Sequence, residues 1–103
     1  MGTATINTPD LDIQDEVEVR LPKKYKVVLH NDDFTTMEFV ITILVVLFNK
    51  TETQALMIAN HVHKEGKGIA GIFSKEIASE KVKEVTNIAT QAGFPLKTTM
   101  EEE

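Results

Sequence analysis

The chain of 103 residues contains no cysteine and no tryptophan. The absence of cysteine excludes a disulfide framework and any zinc site that is built on thiolates. Small secreted domains usually depend on disulfides, because their cores are too small to be stable without them. We therefore expect this protein to belong to a reducing, intracellular compartment.

Long hydrophobic runs are also missing. The longest one, residues 39–48, is interrupted by Thr42 and is about half as long as the roughly 20 residues that a membrane helix needs. The first 20 residues are acidic where a signal peptide has a basic start and an apolar middle. The formal net charge of −5 lacks the basic footprint of a general nucleic-acid binder. We expect neither a membrane nor a nucleic acid as a partner.

What the chain does contain is an ordinary globular composition, with 42% hydrophobic and 26% charged residues, in a length that suits one domain. Residues 1–22 carry five acidic residues against the single Arg20, lack sustained periodicity and are punctuated by Pro9 and Pro22. We predict a flexible acidic arm at residues 1–22 and a folded domain at residues 23–103.

The first half of the domain is predicted as a strand followed by a helix. Residues 25–30 are rich in β-branched and aromatic residues and stop at the polar triplet 31–33, which suits a tight loop. Thr35 and Glu38 have the spacing of a capping box. The apolar run that follows is therefore predicted as a helix, although its composition alone would also fit a buried strand.

The second half adds two helices and two strands. Thr51 and Gln54 repeat the capping-box spacing before a second helix, which runs up to the glycine-rich segment 66–73, predicted as a turn into a short strand. A third helix is predicted from the cap Ser74 to Gly93, and a last short strand follows. The order β-α-α-β-α-β predicts an α+β fold, a three-stranded antiparallel sheet packed against three helices.

The polar triplet Asn31, Asp32 and Asp33 has two interpretations. Such residues favour a turn before a helix, and on local sequence this is the simpler interpretation. They also form a cluster of acceptors, which a primary ammonium requires beside an apolar wall.

Two further motifs resemble a metal site and a dinucleotide site, but their positions in the predicted structure do not fit either one. His61 and His63 lie two residues apart, so on a helix they point to different faces and do not chelate one metal ion. His63 shares a face with Ala59 and Val62, which places a polar group at the edge of an apolar stripe. Residues 66–71 match the glycine pattern of dinucleotide sites, but that pattern follows a strand and opens a helix, whereas here it follows a helix. We predict no metal, no cofactor and no catalytic residue.

The segments YKVVLHNDDFTTMEFV, VHKEGKG, GIFSKEIASEKV and GFPL together resemble the ClpS family of protease adaptors, from about residue 24 to residue 101. The resemblance implies a fold like the C-terminal domain of a ribosomal stalk protein and a deep pocket for the first residue of an N-end-rule substrate. It implies that Asn31 and His63 hydrogen-bond the free α-amino group and that Asp33 acts through water. Asp32 and Thr35 would hold the loop and the peptide backbone.

The resemblance also implies the other contacts. A side-chain pocket that favours Leu, Phe, Tyr and Trp would be lined by Met37, Val40, Val62 and Leu96. Glu76 and Lys81 would face the N-terminal domain of a Clp AAA+ ATPase of the ClpA or ClpC type, and the arm would engage that ATPase during hand-off. The implied partners are this ATPase and N-degron substrate proteins. The implied location is the bacterial cytoplasm, with an organelle as the alternative.

Two positions depart from the family pattern. Ala59 stands where family members usually carry Met, which predicts a roomier pocket, and Thr36 stands where they usually carry Pro, which affects the start of the helix. Two other functions remain open on the residues alone. One is an interaction module that recruits a partner through its helix surface, and the other is a hydrolase that uses Asp32, Asp33 and His63.

Overall fold

The computed structural model describes residues 21–103. Its elements are β1 (Lys24–His30), α1 (Met37–Phe48), α2 (Glu52–Glu65), β2 (Lys67–Ser74), α3 (Lys75–Ala92) and β3 (Lys97–Glu102). This order and the antiparallel pairing of the three strands confirm the predicted α+β fold. Within residues 21–103 no helix is long and apolar enough to cross a membrane. The predicted arm lies outside the described residues except for its last two.

The sheet has the order β2-β1-β3, so β1 is its central strand. Val27 and Leu29 are fully buried and belong to the core cluster that all three helices contribute to. We call this side of the sheet the inner face. Because side chains alternate along a strand, Lys26, Val28 and His30 belong to the opposite side, which we call the outer face.

The helix ends follow the predicted caps at three of four tested positions. The capping box of Thr51 and Gln54 is present in both directions, with hydrogen bonds of 3.1 and 3.0 Å, and Ser74 caps α3. Gly93 ends α3 in the left-handed region with φ 82°. The capping box predicted at the start of α1 is wrong, because the hydroxyl of Thr36 rather than that of Thr35 accepts the cap hydrogen bond, from the Phe39 N–H at 3.1 Å.

The glycine-rich segment 66–73, predicted as a turn that leads into a short strand, is strand over all but its first residue. The turn is confined to Gly66, which ends α2 with φ 94°, and β2 begins at the next residue. A Cβ at Gly68 would lie 2.8 Å from Cγ2 of Val62. Glycine at this position therefore lets α2 approach the edge of the sheet closely, and a dinucleotide loop is not formed.

Candidate functional site

The polar loop between β1 and α1 is organised by the carboxylate of Asp32. Its Oδ1 accepts the backbone N–H groups of Phe34 at 2.8 Å and Thr35 at 2.7 Å. Its Oδ2 accepts the hydroxyl of Thr35 at 2.7 Å. These bonds hold the Thr35 hydroxyl against Asp32 within the loop, and the helix begins after Thr36, whose hydroxyl accepts the cap hydrogen bond instead. Of the two interpretations of the triplet, Asp32 therefore fits the turn.

The ionisation of Asp32 reflects the same contacts. Partial desolvation opposes the charged form, but the hydrogen bonds from the Thr35 hydroxyl, the Thr35 N–H and the Phe34 N–H outweigh it and lower the pKa of Asp32 below its ordinary value. The carboxylate is thus held ionised in the loop, while Asn31 and Asp33 on either side of it are exposed.

The loop is joined to the end of α2 by one backbone hydrogen bond. The N–H of Asn31 donates to the carbonyl of Gly66 at 2.8 Å. His63 is exposed in the last turn of α2, three residues before Gly66. Two segments more than 30 positions apart in sequence are therefore brought to the same end of the molecule, and with them the polar residues predicted to recognise an amine.

The four apolar residues predicted to line a pocket all belong to the hydrophobic core or pack against it. Val40 from α1, Val62 from α2 and Leu96 from the segment before β3 are buried members of one cluster, and Met37 is half-buried and packs against it. Ala59 belongs to the same cluster at 3% exposure. Because Val62 directly precedes His63, the polar end of α2 and the apolar cluster are neighbours.

The two residues predicted at an ATPase interface lie apart from this region, on α3. Glu76 is exposed in the first turn of α3. Lys81 is engaged within the fold: its Nζ donates to the carbonyl of Leu47 at 2.7 Å and lies 3.8 Å from a carboxylate oxygen of Glu84. Since the last carbonyls of a helix lack partners within it, Lys81 ties α3 to the end of α1. Sequence periodicity carried no signal for this contact.

Two cavities lie away from the predicted site residues. One of about 530 Å³ lies beside the outer face of the sheet and includes Val28, Lys67 and Ile69 in its lining. The other, of about 260 Å³, is lined by Lys50, Gln54, Met57 and Ile58. Within residues 21–103 no group of three His, Asp or Glu side chains is placed to hold a metal ion.

Comparison with known proteins decides the family. The family described as ATP-dependent Clp protease adaptor protein ClpS matches residues 20–99. The chain belongs to the ClpS family. An ATP-dependent Clp protease adapter protein ClpS from Clostridium acetobutylicum is 50% identical over 93 residues, which cover 90% of this chain and 92% of that protein. The corresponding ClpS of Desulforapulum autotrophicum is 52% identical over 82 residues, 80% of this chain and 79% of that protein.

A solved ClpS structure shares the fold. Agrobacterium tumefaciens ClpS2, bound to L-phenylalaninamide, has a TM-score of 0.78 and 38% identity, and the match covers 81% of this chain and all of that one. The resemblance stated from the sequence is thus confirmed for the family and the fold. The roles of individual residues remain proposals.

Thr36 is predicted from the sequence to affect only the start of α1, and the structure agrees with this. In the structure it is the N-cap of that helix. Threonine is a favoured N-cap residue, and this preference applies equally to Thr35 and Thr36. Residue type alone therefore could not show which of the two caps α1.

Proposed function

We propose that this ClpS protein binds the first residue of other proteins when that residue is Leu, Phe, Tyr or Trp, and delivers the bound protein to a Clp AAA+ ATPase and its protease. The observation that carries the proposal is the Asn31 to Gly66 hydrogen bond of 2.8 Å. It holds an acceptor-rich loop beside the end of α2, next to a buried apolar cluster. ClpS2, a related protein of known structure, was bound to L-phenylalaninamide, which has a free α-amino group and an aromatic side chain.

Recognition of the free amino group falls to the exposed polar residues. The side-chain oxygen of Asn31 and a ring nitrogen of His63 would accept hydrogen bonds from an ammonium, and Asp33 would act through water. Asp32 and Thr35 hold the loop in place and position the substrate backbone after the first residue. A peptide bond at the same place has no positive charge, so an internal Phe is rejected.

The side chain of the first residue enters between Met37, Val40, Val62 and Leu96. In the structure Val40, Val62 and Leu96 are packed with 3–7% exposure, so the bound side chain displaces a covering group. Met37, half-buried at the start of α1, is the most suitable one because its unbranched side chain adapts to different shapes. Burial of a Phe side chain, 150–250 Å² at about 25 cal/mol per Å², gives several kcal/mol before ordering costs.

The proposal is tested with fluorescent peptides that differ only at the first residue or at its amine. Peptides that begin with Phe or Leu should bind, and a peptide that begins with Ser should not. Acetylation of the amine should weaken binding at least tenfold, because each charge-assisted hydrogen bond is worth about 1.5–3 kcal/mol and tenfold corresponds to about 1.4 kcal/mol. Equal affinity for free and acetylated Phe peptides would refute recognition of the amino terminus.

The start of α3 would contact the ATPase. Glu76 is exposed there, and Ile77 beside it is an apolar residue with 50% of its surface exposed. Glu76 and Lys81 would face the N-terminal domain of a ClpA-type or ClpC-type ATPase. Glu76→Lys should weaken binding to that domain and leave the affinity for a Phe peptide unchanged, which separates the two surfaces.

The arm of residues 1–22 would engage the ATPase during hand-off. A chain without residues 1–20 should bind Phe peptides normally but fail to deliver a Phe-initiated substrate for degradation. In this role the protein recognises and transfers substrates in the cytoplasm and breaks no bond itself. A chelator should therefore leave both peptide affinity and melting temperature unchanged.

A further inference from the structure

Thr98 in β3 carries a buried hydroxyl that the fold leaves unsatisfied. The residue is 9% exposed, and its hydroxyl oxygen has no hydrogen-bond partner among residues 21–103. A threonine hydroxyl offers one donor and two acceptor sites, and buried polar atoms in folded proteins almost always have a partner. The neighbouring Thr99 shows the usual situation, because its hydroxyl lies 2.8 Å from Nε2 of His30. Thr98 therefore keeps an unused hydrogen-bonding group inside the core.

This hydroxyl lies on the inner face, at the end of the sheet that leads into the polar loop. Thr98 is the register partner of Leu29 in β1, and side chains of directly opposite residues stand on the same face of a sheet. Leu29 is fully buried in the core cluster. Asn31, at the start of the loop, follows two residues later. Thr98 thus belongs to the last inner-face row of the sheet before the loop.

Residues assigned to the pocket lie at both ends of this row. Leu29 pairs on its other side with Gly68, and α2 packs closely there, since a Cβ at Gly68 would lie 2.8 Å from Cγ2 of Val62. On the β3 side, Leu96 precedes Thr98 by two positions, and both are buried although the residue between them is exposed. This alternation directs Leu96 and Thr98 to the same side of the chain. The row therefore forms a floor beneath the apolar residues assigned to the pocket.

The depth of Thr98 suits the length of a tyrosine side chain. Asn31, assigned to the α-amino group, is two residues along β1 from Leu29, and Thr98 is one strand spacing to the side of Leu29. With about 3.3 Å per residue and about 4.8 Å between strands, the Cα atoms of Asn31 and Thr98 are roughly 8 Å apart. A tyrosine whose amine is held at Asn31 therefore carries its phenol hydroxyl to the depth of Thr98.

We propose that Thr98 lies at the floor of the first-residue pocket and accepts a hydrogen bond from the phenol hydroxyl of a tyrosine at the first position. The inference rests on the proposed function and adds a residue that discriminates among its ligands. Phe and Leu have no polar atom to offer Thr98. In a purely apolar pocket, Tyr would lose the hydrogen bonds of its hydroxyl to water without replacement. Thr98 replaces them, and the unsatisfied hydroxyl of the free protein gains its partner.

The test compares three peptides that differ only at the first residue, which is Tyr, Phe or 4-methylphenylalanine. The last has about the size of Tyr but carries no polar atom. Thr98→Val removes the hydroxyl and nearly keeps the shape of the side chain. It should lower the affinity for the Tyr peptide relative to the 4-methylphenylalanine peptide by about three- to tenfold, the range expected for one hydrogen bond. The affinity for the Phe peptide should not fall, and Thr98→Ser, which keeps a hydroxyl, should preserve the parent ratio.

Thr99→Val is the matched control on the same strand. It removes a hydroxyl from the outer face, where that group is bonded to His30, and it should leave the ratio of Tyr to 4-methylphenylalanine affinity unchanged. The melting temperature of the free protein gives a second readout. Thr98→Val should not lower it, because replacing an unsatisfied buried hydroxyl by a methyl group is neutral or stabilising. A marked fall would show that the hydroxyl is already bonded in the free protein and would overturn the inference.

The inference and the proposed function fail in different ways. If the Phe peptide binds but Thr98→Val leaves the ratio of Tyr to 4-methylphenylalanine affinity unchanged, Thr98 does not contact the ligand and only this inference is wrong. An equal change of that ratio in Thr98→Val and Thr99→Val has the same meaning. If none of the three peptides binds the parent chain, the proposed function is wrong, and the role of Thr98 is refuted with it.

Discussion

Removal of the Asp32 carboxylate should destabilise the fold in a manner that depends on pH. Asp32→Ala removes the acceptor of three hydrogen bonds of 2.7–2.8 Å. Loss of a buried or half-buried acceptor costs about 1–3 kcal/mol, and the exposed Phe34 N–H can be solvated by water. We therefore expect the free energy of unfolding to fall by about 2 kcal/mol at pH 7. In a domain of this size each 1 kcal/mol corresponds to about 4–8 °C of melting temperature.

The pH dependence follows from the lowered pKa of Asp32. A carboxyl group whose pKa is lower in the folded than in the unfolded state contributes its full stabilisation above the unfolded-state value of about 3.9. This contribution is lost as the pH falls through the lower folded-state pKa. The difference between the parent chain and Asp32→Ala should thus be largest near neutral pH and should shrink below about pH 4.

Urea denaturation followed by circular dichroism at several pH values measures both quantities. Asp33→Ala is the matched control, because it removes the same charge from an exposed neighbouring position. It should change stability by less than about 0.5 kcal/mol, although it should weaken peptide binding. If both variants lost the same stability, or if the loss in Asp32→Ala were the same at pH 7 and pH 3, the assigned role of Asp32 would be wrong.

Three other substitutions have defined outcomes. His63→Ala should weaken binding of a Phe peptide and keep the melting temperature, since His63 is exposed; a large fall in melting temperature would instead indicate a structural role. Gly68→Ala should destabilise the fold by about 1–3 kcal/mol, because the added Cβ would lie 2.8 Å from Cγ2 of Val62. An unchanged free energy of unfolding in urea denaturation would contradict that close approach. Ala59→Met should reduce the affinity for Trp- and Ile-initiated peptides by about tenfold relative to a Leu-initiated peptide, since a difference of one methylene in an apolar pocket is worth ~1–3 kcal/mol. Unchanged ratios of these three affinities would exclude residue 59 from the pocket.

The order of helices and strands could be predicted from sequence because local signals agreed with tertiary structure. The capping box at Thr51 and Gln54 is formed by the residues it needs and has no competitor nearby. The one predicted at Thr35 failed because the loop holds the hydroxyl of Thr35 against Asp32, three residues earlier, and the helix begins one residue later, after Thr36. Two adjacent threonines carry the same local signal, and only the folded loop distinguishes them.

The candidate site was predictable in part for the same reason. The Asn31–Asp33 triplet and His63 stand out by residue type, but their proximity depends on the long-range bond from Asn31 to Gly66. The strand character of residues 67–71 was not predicted because glycine is disfavoured in strands by local propensity. At Gly68 the close approach of α2 overrides that propensity.

The position of β1 in the middle of the sheet has a mechanical consequence for any machine that grips the N-terminal end. The chain passes from residue 23 directly into β1, whose backbone pairs with β2 on one side and β3 on the other. Hydrogen bonds in antiparallel sheets run perpendicular to the strands, so a pull along β1 loads both ladders in shear and stretches many bonds at once. An edge strand drawn sideways would instead release its bonds one after another. A pull on the N-terminus therefore loads the hydrogen bonds of both strand pairs, β1 with β2 and β1 with β3, at the same time.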